Sequence, residues 1–477
     1  MVSLDSRKLK NISKPARYVG GEVNTIIKEK NVKYNIVLCY PNLYEKGMSN
    51  YILNMLYTNI NRNENIWCKR CFMPDTDFEK YLRDYKYKLY ALEDYSSLDK
   101  NDMLIFIIED ELDYTNLLAM FKLGNILTRK NEMPKICLYT KSDVNIKPIK
   151  KYFDYIFNDE SEKDNTKGLI NVIQENSGVN IDHSRFDVKY LSNRIVPSIK
   201  INNSSNIIDF NYITDEEKIL KYVINFINQT GINTVSFRNI DKIDRYKFCE
   251  IVYRLKSNID GIKIISKNID FNTFETQMLD VLLPCIERSA VLFDVFTCSK
   301  KIKEKIGIGT DKSVLIQKIN KVFKNNRNSI RLKFYIGLPD ETYEDIDNIF
   351  ELLEEIVNMY STNKAKDKFS MNVKLNYYIP SKTEENTCVI NGINKLETKI
   401  RYIKEKMYDS VINIEVEDID SYITKTLLKN AEENIEKVIY DAYILGARFD
   451  GDSKKYNKSA WEKSIYDNIG ITSKYIK

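Results

Sequence analysis

Continuous apolar runs alternate with amphipathic stretches over the first 180 residues. "YNIVLCYP" has no polar face, which predicts a strand buried on both sides. In the following "EKGMSNYILNMLYTNIN", Met48, Ile52, Met55 and Leu56 fall on one helical face. Then come "DFEKYLRDY" as helix, "LYALED" and "DMLIFIIED" as strands, "YTNLLAMFKLGNI" as helix, and "KICLYT" and "YFDYIFND" as strands. Strands separated by helices imply a doubly wound parallel sheet. Polar "NDESEKDNTKG", the short helix "LINVIQEN" and the linker "SGVNIDHSRFD" place a boundary near residue 180.

From about residue 195 the alternation resumes. "VPSIKI" reads as strand and "TDEEKILKYVINFINQTG" as helix, with Thr214 and Glu217 as capping box and Gly231 as terminator. "NTVSF", "IKIISK", "AVLFDVF", "IRLKFYIGLP" and "MNVKLNYYIP" read as further strands. Helices fall between them, the longest from Thr342 to Tyr360. Repeated units of this size suit a full or partial (β/α) barrel. The pattern thus predicts an α/β chain with a Rossmann-type domain over 1–180 and a barrel-like domain over 181–375. A small α/β domain over 376–477 follows, with "LLKNAEENIEKVIYDAYILG" as one helix.

Composition narrows the chemistry. The chain has 477 residues, 43% of them apolar and 30% charged, with a net charge of +5, which is ordinary for a globular protein. No window is apolar enough to span a membrane and no secretory signal is legible, so a cytoplasmic protein is expected. Lysine and glutamate are interspersed, and the 33 tyrosines permit RNA contact without indicating it. The one histidine, His183, reads as surface polar and argues against His-based zinc sites and catalytic triads. Of eight cysteines only Cys68 and Cys71 form a C-x-x-C pair, in an extended "IWCKRCFMP". No second pair exists to complete a zinc site.

Several ordered segments resemble one family. They are "PARYVGGEVN", "YPNLYEKGMSNYILNMLY", "ELDYTNLLAMF", "IGLPDETYEDID" and "ILGARFDGDSKKYNKSAW". Together they resemble uncharacterised radical S-adenosylmethionine proteins with an N-terminal cobalamin (B12)-binding-like domain. The resemblance covers nearly the whole chain and implies a barrel of radical S-adenosylmethionine type. Such enzymes hold a four-iron cluster on three cysteines spaced C-x-x-x-C-x-x-C, in the loop after the first barrel strand. Here that loop, Asn202 to Glu217, has no cysteine, and Asn and Ser cannot replace thiolates on iron. Cys285 and Cys298 stand thirteen residues apart with no third cysteine at suitable spacing. The family's strand-four glutamate falls on Phe296, a glycine falls on Cys298, and a basic C-terminal pattern becomes "KNAEE", Lys429 to Glu433.

The resemblance also implies site residues. Gly337, Leu338, Pro339 and Glu341 would border the adenine of S-adenosylmethionine. Tyr44, Glu45, Gly47, Ser49 and Asn50, with Tyr114 and Asn116, would line a base-off or vestigial cobalamin pocket; His183 is too distant for a base-on ligand. The plainer reading of both sets is structural, as strand ends, caps and loops. No catalytic residue, no metal ligand and no iron-sulfur cluster is expected, and S-adenosylmethionine is a cofactor that the resemblance still allows. The leading expectation is a degenerate, non-catalytic scaffold or regulatory partner of a cluster-bearing paralogue. Two alternatives stand beside it: an active, cobalamin-linked enzyme with unusual cluster ligands, and a nucleotide, S-adenosylmethionine or RNA binding module. An interface through Phe449, Tyr456 and Trp461 is weighed equally with packing of those rings inside their own domain.

Overall fold

The computed structural model describes residues 11–22, 25–28, 32–126, 134–181, 206–266, 269–362, 369–379, 386–406 and 411–469. His183 and "VPSIKI" lie outside them. The chain forms two compact units, Met1–Asn203 with Ile423–Ile476, and Ser204–Tyr422. Residues 376–477 are therefore divided between the two units.

Among its described residues the first unit holds five parallel strands, β1 (Tyr34–Tyr40), β2 (Ile66–Phe72), β3 (Met103–Ile108), β4 (Lys135–Thr140) and β5 (Tyr155–Phe157). Their order is β2-β1-β3-β4-β5. Every residue of β2 and β3 is buried, as expected where helices cover both faces. "LYALED" is not a strand: Tyr90 makes one isolated bridge to Ser97, and Leu92–Asp94 turn. Glu93 and Asp94 bend there to meet Arg70 and Lys69 of β2.

The stretch 44–60 is two helices, Tyr44–Met48 and Tyr51–Ile60, not one. Asn50 starts the second by accepting the Leu53 N–H at 2.9 Å. All ten residues of that second helix are buried. Asn54, Thr58 and Asn59 are tolerated inside because each donates to a carbonyl four residues back, at 2.7–2.8 Å. The C-terminal stretch read as one helix is also interrupted, into Ile419–Lys429 and Glu436–Ile444.

Among its described residues the second unit has seven parallel strands in chain order. A three-stranded sheet contains β6 (Asn206–Asp209), β7 (Thr234–Arg238) and β8 (Lys263–Ile264). A four-stranded sheet contains β9 (Val291–Phe296), β10 (Ser329–Ile336), β11 (Ser370–Tyr377) and β12 (Ile412–Val416). The isolated parallel bridge Asp270–Leu292 links the segment after β8 to β9. Burial alternates strictly along β9, β10 and β11, leaving one apolar face and one half-exposed face. The helix Glu216–Thr230 is capped by Asp215, which accepts the Lys218 N–H at 2.9 Å, rather than by Thr214. Gly231 ends it in the left-handed conformation.

Candidate functional site

In an open parallel sheet a ligand sits where the strand order reverses, here between the C-terminal ends of β1 and β3. The chain's own side chains meet there. Tyr40 donates to Glu109 at 2.7 Å and Asn42 to Asp113 at 2.8 Å. Asn116 donates to the Pro41 carbonyl at 2.9 Å and accepts the Phe449 N–H at 2.9 Å. Thr115 donates to Asp450 at 2.6 Å, and Tyr114 donates to the Asn145 carbonyl. Asn116 thus ties the β1 end to the C-terminal segment with both ends of its amide.

Of the other residues expected here, Tyr44 and Glu45 face the N-terminal segment instead. Tyr44 donates to Glu22 at 2.8 Å, and Glu45 pairs with Arg17 at 2.8 Å and Lys14 at 3.1 Å. Gly47 lies so close to the Phe72 ring that a Cβ would overlap it. Ser49 donates to the Glu45 carbonyl at 2.7 Å, and Asn50 is the helix cap. Within the described residues, each of these side chains has a structural partner.

Sequence reasoning missed the acids. Burial pushes the Asp113 carboxyl up to about 8, opposed by the Asn42 hydrogen bond and reinforced by the charge of Asp110. Burial likewise lifts Asp450 to about 6 against the Thr115 hydrogen bond, and raises Glu111. The signal was the run "EDELD" directly after an apolar strand. A folded-state Asp113 that holds a proton the unfolded chain releases contributes stability below about pH 4, lost as pH rises through 8. Asp113→Asn should therefore flatten the fall in stability over that interval. It should gain on the order of 2 kcal/mol over wild type above pH 8. Urea unfolding at pH 5, 7 and 9 measures this; parallel pH dependences in the two proteins would contradict it.

A buried charge cluster was missed as well. Arg70 is fully buried, with its Nε 2.6 Å from Glu93 and a terminal nitrogen 2.9 Å from Glu22. Its guanidinium lies 4.7 Å from the centre of the Tyr57 ring. Burial pushes the Glu93 carboxyl up despite Arg70. Burial would raise Glu22 too, but Arg70 and its hydrogen bonds hold it below its ordinary value. The signal was Lys69-Arg70 inside "IWCKRCF", two cations in an otherwise apolar strand. Cys68 and Cys71 in that strand are both buried. Three apart on a strand, they point to opposite faces of the sheet and cannot share a metal.

In the second unit, β10 runs into the Gly337–Pro339 turn, where Gly337 has φ +83°. Its N–H donates to Glu341 at 2.8 Å. Glu341 pairs with Lys399 at 2.7 Å, and a Cβ on Gly337 would stand 2.6 Å from Leu396. Leu338 is buried and Pro339 half-buried. The helix Asn386–Lys406 therefore engages the residues expected to border an adenine. Phe296 has φ +64° and stacks on Tyr335 with ring centres 4.4 Å apart. Beside it, burial pushes the Cys298 thiol up to about 12.

The family described as "Radical SAM proteins, N-terminal" matches residues 53–192. An uncharacterized protein of Methanocaldococcus jannaschii is 22% identical over 483 aligned residues, spanning 91% of this chain and 98% of the relative. Among solved structures, the apo, selenomethionine-labelled cobalamin-dependent S-adenosylmethionine radical enzyme OxsB aligns with 70% of this chain. It does so at a TM-score of 0.39 and 10% identity, over 56% of its own length. The chain is thus an α/β protein with parallel sheets whose residues 53–192 resemble the N-terminal region of radical S-adenosylmethionine proteins.

Proposed function

We propose that the chain is a radical S-adenosylmethionine-type protein that does not perform the radical reaction. It acts as a scaffold or regulatory partner, with a cysteine-complete paralogue as the catalytic member. In this reading residues 1–180 are the cobalamin-binding-like part, and the second unit is an opened barrel.

The donor set carries the reading. A four-iron cluster requires three thiolates converging on one loop. The connection from β6 to its helix is Phe210–Asp215, which holds no cysteine, and its Phe210 is buried against Phe237 with ring centres 5.9 Å apart. The second unit's described thiols lie on separate elements: Cys249 in the helix Arg245–Asn258, Cys285 ending the helix Leu279–Cys285, and Cys298 after β9. Burial pushes Cys249 up to about 11 and Cys298 to about 12, which favours thiol over thiolate. These residues do not fit the cluster. The turn at Gly337 adds support, because its N–H is already engaged by Glu341.

Anaerobic reconstitution with iron and sulfide tests the reading. The expected result is substoichiometric iron and no reducible visible band. About four irons per chain with a reducible cluster spectrum would refute it. The partner claim has its own test: tagged chain co-expressed with a paralogue carrying C-x-x-x-C-x-x-C should retain it through purification, and separate elution overturns that part.

A further inference from the structure

The half-exposed face of the four-stranded sheet is mostly polar, with Leu292 and Phe296 as the apolar positions that β9 contributes. Strand register sets its rows. Leu292, Arg331, Asn372 and Asn413 stand side by side, then Asp294, Lys333, Lys374 and Glu415. Tyr335 and Asn376 form the next row, with Phe296 stacked on Tyr335.

Part of this charge is internally balanced. Lys333 pairs with Asp294 at 2.8 Å and lies 4.7 Å from the Tyr335 ring centre. Arg331 and Lys374 make no ion pair with any described residue, although Glu415 is the register neighbour of Lys374. Arg331 is half-buried, and its Nε is closed to water with no acceptor. A shielded N–H without an acceptor costs about 1–3 kcal/mol. On this face the Arg331 Nε is a shielded donor without an acceptor, beside a lysine without an ion pair, while Asn376 Oδ1 and Asp294 Oδ1 are shielded acceptors that only an N–H or O–H would meet.

We propose that this face binds a small organic oxyanion, a carboxylate or a phosphate ester, whose apolar ring lies against Phe296 and Tyr335. The Arg331 guanidinium is a planar fork matched to two oxygens of one anion. Lys374, two positions further along the adjacent strand's same face, supplies a second charge. The half-exposed rings of Phe296 and Tyr335 lie toward the C-terminal end of the same face and offer the apolar wall. The side-chain amides of Asn372 and Asn376 can donate to remaining oxygens. The site does not depend on the scaffold reading, since it requires neither a cluster nor a partner.

Isothermal titration of the full chain with phenylacetate, phenyl phosphate, inorganic phosphate and benzyl alcohol tests the proposal. Saturable binding of phenylacetate or phenyl phosphate is expected, with benzyl alcohol silent and inorganic phosphate weaker. The tighter of the two aromatic probes identifies the headgroup. Arg331→Gln should weaken that probe by about tenfold or more, and Arg331→Lys should recover part of the loss. Lys374→Gln, at an exposed position, keeps the test alive if Arg331→Gln does not fold. No saturable heat from either aromatic anion overturns the proposal. So does equal affinity in wild type and folded variants, or phosphate binding as tightly as the ring-bearing probes, the sign of an adventitious ion only. These results are independent of iron content and of co-purification.

Discussion

Replacing Arg70 with methionine should destabilise the first unit by about 3–5 kcal/mol. The volume is roughly conserved, so the loss is electrostatic. Glu22 and Glu93, with 3% and 0% of their side chains exposed, would face each other with no cation between them. Two carboxylates in such a site cannot both stay ionised, and protonating one at neutral pH draws on folding free energy. The hydrogen bond from the Arg70 backbone N–H to Glu93, 2.8 Å, would remain. The rescue separates charge from packing. Adding Glu22→Gln and Glu93→Gln to Arg70→Met should restore a substantial part of the loss, because a buried ion cluster contributes less net stability than its breakage suggests. Urea unfolding at pH 7 gives the numbers through the shift in midpoint. A single variant within 1 kcal/mol of wild type would mean the cluster is solvated in solution.

That cluster also marks where the sequence stops being legible. β1 and β3 were readable because burial on both faces leaves an uninterrupted apolar run. The strands β9, β10 and β11 were readable because one buried face gives alternation. Period alone settles such elements. It fails at "LYALED", whose conformation is decided by Glu93 reaching an arginine 23 positions earlier. It fails again at 44–60, where Gly47 packs on Phe72 and Asn50 restarts the helix. Tyr44, Glu45 and Asn116 were recognisable as special from their motifs. Their partners at Glu22, Arg17 and Phe449 were not, since nothing local specifies a contact 333 residues away. The half-exposed polar face around Arg331 was hidden for a related reason. Alternation announces that one face is wet, and only the strand register reveals which wet residues lack partners.

Replacing Trp461 with alanine should destabilise the first unit by about 3–5 kcal/mol, the usual range for emptying a large aromatic site. Trp461 is 1% exposed and Phe449 2%, so the rings that could have formed a partner surface are interior. The helix Lys458–Ile469 that carries Trp461 is held by Ser464, which donates to the Val438 carbonyl at 2.6 Å. It is also held by Asn468, which donates to Asp441 at 2.9 Å. Loosening this helix should loosen the neighbouring segment, whose Phe449 N–H and Asp450 carboxylate meet Asn116 and Thr115 at the reversal of strand order. Hydrogen exchange should therefore report faster exchange at Phe449 as well as lower global stability. Tyr456 is half-buried, and its hydroxyl shares a hydrogen bond with Thr424. Tyr456→Phe should cost only about 1 kcal/mol, the value of one such bond. If Trp461→Ala instead unfolds at the wild-type midpoint yet loses a bound paralogue, the ring belongs to an interface and the packing account fails.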